Sequence, residues 1–306
     1  MKKILFICLF LILVLFSLLY PAQIIEASKQ GLLIWFEQIL PALLPFTILS
    51  TLLLKSNLLN SFSSGGNLLA ICITMCSGFI FGFPIGAKLA SDFYKNKLLS
   101  EKQATILSIS ANNFSPMYVC GFVLPSLFAN IDLVAPTYFL VYFVPLLLAV
   151  FYLIFSYAKE HDTIFLKNDT IFQANMPLLD DSILNGFQTL LKLCGYIVLF
   201  SIFAKIVGIV FPEPSPLFQI LLENLEITNG VQLLANTRHT NTISEKNAYV
   251  LTIQLLSLGG LSGIAQTYSI FADSKLSIYK YIIGKVTLSL LLTLLTVIYV
   301  SFFNHF

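Results

Sequence analysis

The segment 223–230, ENLEITNG, carries acidic and amide side chains within a stretch that is otherwise apolar. A carboxylate in such an environment is costly unless a hydrogen-bond donor, a cation or a proton compensates it. Glu226 stands nearest the centre of this segment, and Thr228 and Asn229 offer further polar atoms beside it. We therefore expect Glu226, Thr228 and Asn229 to contact a polar solute, a proton or a cation, with Glu223 nearer an interface.

The segment 112–116, NNFSP, places two adjacent amides shortly before a proline in another apolar stretch. Pro116 has no backbone N–H, so a helix that meets it leaves earlier carbonyl oxygens free. Asn112, Asn113 and Ser115 add side-chain donors and acceptors at the same point. This combination predicts hydrogen bonding to a polar solute or coordination of an ion. Amide bonds between packed helices are the alternative interpretation.

Two glycine-rich segments have the composition of helix breaks. The segment 82–88, GFPIGAK, places Lys88 just after the break, where its ammonium would bind an anion or reach towards an interface. The segment 259–266, GGLSGIAQ, offers Ser262 and Gln266, and close helix packing through small residues is its alternative interpretation. The candidate helix and hairpin breakers are Gly82, Pro84, Gly86, Pro116, Gly230, Gly259 and Gly260.

The sequence has no signature of enzyme chemistry. His161, His239 and His305 lack the spacing of metal ligands, and the five cysteines form no CxxC pair. Neither a P-loop nor a GxSxG motif occurs. We therefore expect no enzyme activity, no metal and no organic cofactor. A transporter of this composition could still couple to H⁺ or Na⁺.

The composition predicts that membrane helices carry these segments. Hydrophobic residues make up 57% of the 306 residues, charged residues only 10%, and the mean hydropathy is +0.87. About a quarter of the residues of a soluble domain are charged, so the lipid bilayer is the expected environment. A net charge of +2 without a basic arm also argues against binding to nucleic acid.

Apolar runs of about 20 residues are long enough to cross a bilayer. We predict an all-α integral membrane protein with about seven transmembrane helices plus two re-entrant hairpins. One hairpin covers 68–98 and breaks at 82–86, and the other covers 217–236 and breaks near Asn229 and Gly230. The predicted spans are 4–20, 39–54, 103–125, 133–157, 183–211, 247–270 and 280–303.

The distribution of basic residues predicts the orientation in the membrane. With a cytoplasmic N-terminus, the acidic loop 158–182 is also cytoplasmic and the C-terminus is external. External segments then carry only Lys29, Arg238 and Lys246. Cytoplasmic segments carry Lys2, Lys3, Lys55, Lys88, Lys95, Lys97, Lys102, Lys159, Lys167, Lys275 and Lys280. The first helix is interpreted as an uncleaved signal anchor, with a cleaved signal peptide as the alternative.

Two segments of the chain are similar to each other. Residues 101–109, EKQATILSI, and residues 245–253, EKNAYVLTI, are identical at five of nine positions. In the predicted orientation the first helix runs outward and the second inward, so the two halves form an inverted repeat. Many secondary transporters have inverted repeats and bind their solutes between broken helices. Chance similarity between apolar sequences is the alternative.

Five segments, in their order along the chain, resemble the nucleoside-recognition (Gate) superfamily, and within it a group of sporulation integral membrane proteins. They are 40–46 (LPALLPF), 82–88, 112–116, 226–230 and 259–266, and the resemblance covers about residues 31–270. It implies a fold similar to half of a concentrative nucleoside transporter, with paired hairpins around a solute site. It also implies a role in moving dipicolinate across a forespore membrane.

The resemblance and the predicted spans together divide the chain into five parts. Residues 1–30 form the signal-anchor helix and an external linker, and residues 31–130 form a first Gate-like repeat. Residues 131–182 form a connecting helix and the acidic cytoplasmic loop. Residues 183–272 form a second Gate-like repeat, and residues 273–306 form a C-terminal transmembrane helix.

We therefore expect a multi-pass protein of the cell membrane, or of a forespore membrane, that transports a small polar solute. Dipicolinate, a dianion, would need Lys88 with Lys192 or Lys205, whereas a nucleoside would need neutral amides and a carboxylate. A non-transporting membrane scaffold or assembly factor in sporulation is the alternative, and homo-oligomers are compatible with either. The candidate solute-binding residues are Glu226, Asn229, Thr228, Asn112, Asn113, Ser115, Lys88, Ser262 and Gln266.

Overall fold

The structure is a computed structural model that describes residues 2–56, 66–128, 130–157, 175–211, 222–240 and 242–302. Every regular element within these residues is helical. The α-helices are α1 (Lys2–Leu19), α2 (Pro21–Ile34), α3 (Leu40–Lys55), α4 (Gly66–Phe81), α5 (Ile85–Lys95), α6 (Glu101–Ala111), α7 (Pro116–Tyr118), α8 (Leu124–Leu127), α9 (Val134–Tyr138), α10 (Val144–Tyr157), α11 (Met176–Val210), α12 (Ile227–His239), α13 (Glu245–Leu258), α14 (Gly260–Phe271) and α15 (Ile278–Phe302). Single π-helical turns join α2 to α3, α7 to α8 and α9 to α10.

Within the described residues, four stretches of helix are long and apolar enough to cross a membrane: Ile131–Ile154, Met176–Val210, Glu245–Phe271 and Ile278–Phe302. A fifth results if Phe10–Leu19 and Pro21–Glu37, which are bent by 111° relative to each other, form one broken span. Large apolar side chains such as Leu290 and Leu294 are exposed along these helices. Apolar length and apolar exposure together identify an integral membrane protein.

This number of long helices is lower than the seven spans expected from the sequence. The predicted span 103–125 is interrupted by non-helical backbone at 112–115, and neither piece alone is long enough to cross. The predicted span 39–54 corresponds to α3, which a π-helical turn joins to α2 and which is not among these four stretches. Residues 21–30, expected as an external linker, belong to helix α2 (Pro21–Ile34) instead.

Helices α4 and α5 form a hairpin whose turn lies at residues 82–84. Gly82 has a φ of +74°, which glycine adopts at little cost because it has no Cβ. Pro84 is the residue before α5, and both hairpin helices pack against α6. Ser100 and Gln103 cap the start of α6 with reciprocal hydrogen bonds. The hairpin therefore has a defined turn and a rigid helical partner.

The first broken helix is interrupted after α6. This helix ends at Ala111, and the backbone from Asn112 to Ser115 is not helical. Ser115 caps the next helix, α7, by accepting a hydrogen bond from the backbone N–H of Tyr118 at 3.2 Å. Pro116 is the first residue of α7, a position that suits proline because the missing N–H would have no partner there. Pro116 therefore starts the helix after the break and does not lie in the break itself.

The turn of the second predicted hairpin lies at a different place from the one expected. Residues 224–226 form the turn before α12, whereas Asn229 and Gly230 lie inside that helix. Gly230 packs so closely on the carbonyl group of Glu223 that a Cβ atom at this position would collide with it. Gly230 is therefore needed for a close approach between two backbone segments, and it is not part of the turn at 224–226.

The second broken helix is interrupted at a glycine pair. Helix α13 ends at Leu258, and Gly259 and Gly260 have φ values of +80° and +70°. Ser244 caps α13 by accepting a hydrogen bond from the backbone N–H of Asn247 at 3.3 Å. Helices α6 and α13, which contain the two similar segments, therefore each follow a capping serine and end at a break.

The connection between the two halves contains more helix than predicted. Helix α11 begins at Met176, inside the loop expected at 158–182, because the side chain of Asn175 caps its first turn. Residues 158–174 of that loop lie outside the described residues. The same holds for residues 212–221, which include the first part of the second predicted hairpin.

Two long helices organise the packing of the described residues. The N-terminal helices α2 and α3 pack on α11, where Trp35 donates a hydrogen bond from Nε1 to the carbonyl of Leu190 at 2.8 Å. Helix α15 packs along α13 and also contacts α6. This position puts α15 beside both of the similar segments, and its side chains can therefore reach the break that follows α6.

Candidate solute site

The first hairpin turn and the first helix break meet through aromatic rings. The ring centroids of Phe83 and Phe114 are 5.9 Å apart, and those of Phe114 and Tyr118 are 5.3 Å apart. Phe83 also faces Gly263 of α14, where an added Cβ would lie 3.7 Å from its ring. Phe83 therefore links the first turn to the first break and to α14.

The turn at residues 224–226 is hydrogen-bonded to the second helix break. The backbone N–H groups of Leu261 and Ser262 donate to the carbonyl groups of Asn224 and Leu225 at 2.8 and 3.0 Å. These N–H groups belong to the first turn of α14 and have no acceptor within their own helix. The turn at 224–226 supplies those acceptors and is held against the break.

A tyrosine connects the two halves of this region. The hydroxyl of Tyr118, just after the first break, lies 3.3 Å from Oγ1 of Thr228 at the start of α12. The four segments singled out in the sequence thus come together, although they lie far apart along the chain. Their side chains differ in what they contact.

Glu226 serves as the cap of α12. Its carboxylate is buried and accepts hydrogen bonds from the backbone N–H groups of Thr228 and Asn229 at 3.0 and 2.9 Å. The hydroxyl of Thr228 donates to the same carboxylate at 3.3 Å. The side chain of Asn229 donates to Oγ of Ser201 in α11 at 3.1 Å. Glu226 therefore has partners within the protein that compensate part of the cost of its burial.

Asn112 and Asn113 are both buried at the first break, and they differ in their partners. The amide nitrogen of Asn112 donates to the hydroxyl of Tyr281 at 3.0 Å and approaches Oγ1 of Thr267 at 3.4 Å. The amide nitrogen of Asn113 donates to the carbonyl of Ser110 at 2.6 Å. Oδ1 of Asn112 is buried and has no hydrogen-bond partner among the described residues. This oxygen can accept a hydrogen bond from a bound molecule.

Lys285 also belongs to this region, in addition to the residues predicted from the sequence. Its side chain is 1% exposed, and Nζ donates to the carbonyl of Asn112 at 2.7 Å and to Oδ1 of Asn113 at 3.1 Å. Lys285 and Tyr281 are four residues apart and so lie on one face of α15. A lysine inside an apolar helix of 25 residues was the signal that could have identified it.

Gln266 connects the second break to a cleft. Its amide nitrogen donates to Oγ of Ser262 at 2.9 Å, whereas its amide oxygen is buried without a partner among the described residues. Both Ser262 and Gln266 are buried in the first part of α14. Gln266 thus offers a second free acceptor, and its side chain also lines the cleft beside it.

The cleft lies between α5, α11 and α14 and has an empty volume of about 570 Å³ including its open mouth. Lys88 and Lys192 line it together with Asp92 and Asp273, so it presents charges of both signs. Nζ of Lys88 approaches Oγ1 of Thr51 at 3.3 Å. Lys88 therefore lines the cleft and is not part of the aromatic contact at the first break.

Among the described residues, no group of three or more His, Cys, Asp or Glu side chains is arranged to hold a metal ion. The polar groups at the turns and breaks include amides, hydroxyls, the carboxylate of Glu226 and the amino group of Lys285. This set can bind a polar solute by hydrogen bonds and ionic contacts.

Comparison with known proteins gives one informative similarity. The chain is 27% identical over 330 aligned positions to the sporulation integral membrane protein YlbJ of Bacillus subtilis (strain 168), and the alignment covers 90% of this chain and 77% of that protein. No family model and no solved structure matches the chain. The apolar helices and this similarity lead to the same conclusion: the chain is an integral membrane protein similar, over most of its length, to a protein of bacterial sporulation.

Proposed function

We propose that the chain is a membrane carrier of a small polar solute, which binds where the two helix breaks and the two hairpin turns meet. The observation that carries this proposal is the pair of buried amide oxygens, Oδ1 of Asn112 and Oε1 of Gln266, without partners among the described residues. A buried acceptor without a partner costs about 1–3 kcal/mol. A solute that donates hydrogen bonds to these oxygens would remove that cost.

The proposed architecture is an inverted repeat of residues 31–130 and 183–272, each with a re-entrant hairpin and a broken helix. In support, a serine caps α6 and a serine caps α13 at matching positions, and each helix ends at a break. Non-helical backbone at membrane depth is tolerated only where it is buried in protein or lines a wet cavity. Both breaks contact other backbone segments and buried polar side chains, as that rule requires.

The proposed orientation has a cytoplasmic N-terminus and a cytoplasmic loop 158–182. Ion pairs that join segments assigned to the same side support the grouping of these segments, and the excess of basic residues supports the assignment of one group to the cytoplasm. Two pairs join cytoplasmic segments and one joins external segments. They are Lys55 with Asp181 at 3.4 Å, Lys280 with Glu101 at 2.6 Å, and Arg238 with Glu245 at 2.8 Å.

Dipicolinate is the first candidate solute, and a nucleoside or another small polar solute is the second. The name of the similar protein refers to sporulation, and Lys88 and Lys192 supply positive charge in the cleft. The forespore membrane is accordingly the proposed location. A nucleoside is favoured by the free acceptors of Asn112 and Gln266, since ribose hydroxyls donate hydrogen bonds.

Flux into proteoliposomes tests the proposal directly. Purified full-length protein is reconstituted, and uptake of labelled dipicolinate and of labelled nucleosides is compared with that of protein-free vesicles. We expect Gln266→Leu to lower the flux about tenfold, because it removes an acceptor that the solute would use. Gln232→Leu is the control, since Gln232 is exposed on α12, and it should leave the flux unchanged.

The same experiment separates a carrier from a scaffold. Absence of flux for every solute, from protein that is folded and correctly inserted, would argue for a non-transporting membrane scaffold or assembly factor. Equal flux in Gln266→Leu and the unsubstituted protein would remove the proposed site while leaving the carrier function in place.

A further inference from the structure

Lys285 lies in the protein interior on α15, where it is 1% exposed. An ammonium group inside a membrane protein is costly unless other groups solvate it. The ion pairs found among the described residues join carboxylates to Lys55, Lys205, Arg238 and Lys280, and none of them includes Lys285. The hydrogen bonds of Nζ of Lys285 among the described residues are instead with neutral oxygen atoms.

The oxygens that stabilise it come from the break in the first broken helix. One is the backbone carbonyl of Asn112 at 2.7 Å, and the other is the side-chain oxygen of Asn113 at 3.1 Å. The carbonyl of Asn112 lies just after the end of α6, where the helix no longer continues. Carbonyl and amide oxygens at an unwound helix are the ligands that bind monovalent cations in many carriers.

We infer that the first helix break is a monovalent-cation site and that the ammonium group of Lys285 occupies it as a tethered cation. The protein then needs no Na⁺ or K⁺ at this position, because the charge is part of α15. Ammonium and K⁺ have similar radii, so the site freed by removing the lysine should accept K⁺ without large rearrangement. One consequence rests on the proposed carrier function: solute movement does not depend on Na⁺ binding at the break.

The surroundings of Lys285 would keep the site in shape after the lysine is removed. The hydroxyl of Tyr281, one turn away on α15, accepts a hydrogen bond from the amide nitrogen of Asn112 at 3.0 Å. The amide nitrogen of Asn113 is held by the carbonyl of Ser110 at 2.6 Å. Each asparagine thus has a contact that is independent of Lys285.

Thermal unfolding of the purified full-length protein tests the inference without requiring a transported solute. The unsubstituted protein, Lys285→Ala and Lys285→Met are compared in about 150 mM KCl, NaCl and choline chloride, so that the ionic strength is constant and only the cation is changed. We expect the Tm of the unsubstituted protein to be the same in all three salts. Lys285→Ala should have a Tm about 3 °C or more higher in KCl or NaCl than in choline chloride, with saturation as the salt concentration rises.

Lys285→Met is the volume control, because the unbranched apolar side chain of methionine fills the space that a cation would need. Its Tm should not depend on the cation. A Tm of Lys285→Ala that is equal in all three salts would overturn the inference, and so would cation dependence in the unsubstituted protein. If Lys285→Ala cannot be purified, cation dependence of the Tm of the unsubstituted protein would still overturn the inference. Because the readout is Tm, a negative flux assay and a negative cation test are separate results.

Discussion

At the scale of single residues, glycine determines how closely the first hairpin approaches the first broken helix. A Cβ atom at Gly86 in α5 would collide with the carbonyl of Ala111 and the backbone nitrogen of Asn112. These are backbone atoms, which cannot move aside as a flexible side chain can. The close contact fixes α5 against the end of α6, next to the non-helical residues that are proposed to form the site.

We expect Gly86→Ala to destabilise the protein by about 1–3 kcal/mol, because overpacking at a backbone contact has no easy relief. Gly195→Ala is the matched control. Gly195 also lies in a helix, α11, but a Cβ there would meet nothing within 4 Å. That substitution should be neutral or stabilising by up to about 1 kcal/mol. Tm values in one detergent measure both changes, and equal Tm values would contradict the packing argument.

Glu226 combines a structural role with a proposed functional one, and two substitutions separate them. Glu226→Ala removes the cap of α12 and should lower the stability by about 1 kcal/mol or more. Glu226→Gln keeps one acceptor oxygen for the N–H groups of Thr228 and Asn229 and should fold with nearly unchanged Tm. If the charge of Glu226 takes part in transport, Glu226→Gln should also abolish or uncouple the flux.

Two measurements, Tm and flux in proteoliposomes, are needed for each Glu226 variant. Glu223→Gln is the companion variant, since Glu223 is also buried but does not cap α12, and we expect a smaller effect on flux. Normal flux in Glu226→Gln at equal membrane abundance would restrict Glu226 to its capping role. An unchanged Tm in Glu226→Ala would instead remove that role.

At the scale of elements, the two similar helices α6 and α13 begin with glutamates that are paired differently. Glu245 pairs with Arg238, which also donates to the carbonyl of Leu127 and lies 5.1 Å from the ring of Phe128. Arg238 therefore joins the end of α8 to the start of α13 and the end of α12. The pair of Glu101 with Lys280 connects only α6 and α15, and both of its side chains are about half exposed.

We expect Arg238→Met to destabilise the protein by about 1–3 kcal/mol, because it leaves a carbonyl group and a carboxylate without their partner. Lys280→Met should cost at most about 1 kcal/mol, as exposed ion pairs contribute little. Thermal unfolding at low and high salt measures both. The reverse order of the two effects would contradict the assignment of Arg238 as a link between the ends of three helices.

At the scale of the whole molecule, the proposed orientation predicts which ends are accessible from outside the cell. Asp132 and Met176 are both exposed. In the proposed orientation they lie on opposite sides of the membrane, which the stretch Ile131–Ile154 crosses between them. In a cysteine-free background, Asp132→Cys should react with an impermeant thiol reagent applied to intact cells. Met176→Cys should react only after the membrane is permeabilised. Labelling of Met176→Cys in intact cells would contradict the proposed orientation.

The sequence by itself determined the properties of this protein that depend on composition and on neighbouring residues. The scarcity of charge predicts membrane helices, and the turn at 82–84 and the break at Gly259 lie where glycine and proline disfavour helix. The local signal was insufficient at Gly230, because a glycine required for close packing has the same sequence appearance as one required for a turn. Only the tertiary structure decided between them.

Contacts between distant segments decided the composition of the site. The sequence marks Glu226 as a carboxylate in an apolar stretch. Its own helix supplies the compensating N–H donors, and this depends on where α12 begins. Lys285 was visible as a lysine within an apolar span, yet its partners Asn112 and Asn113 precede it by more than 170 residues. Pairing at that separation is set by how the helices pack, and local sequence patterns carry no information about it.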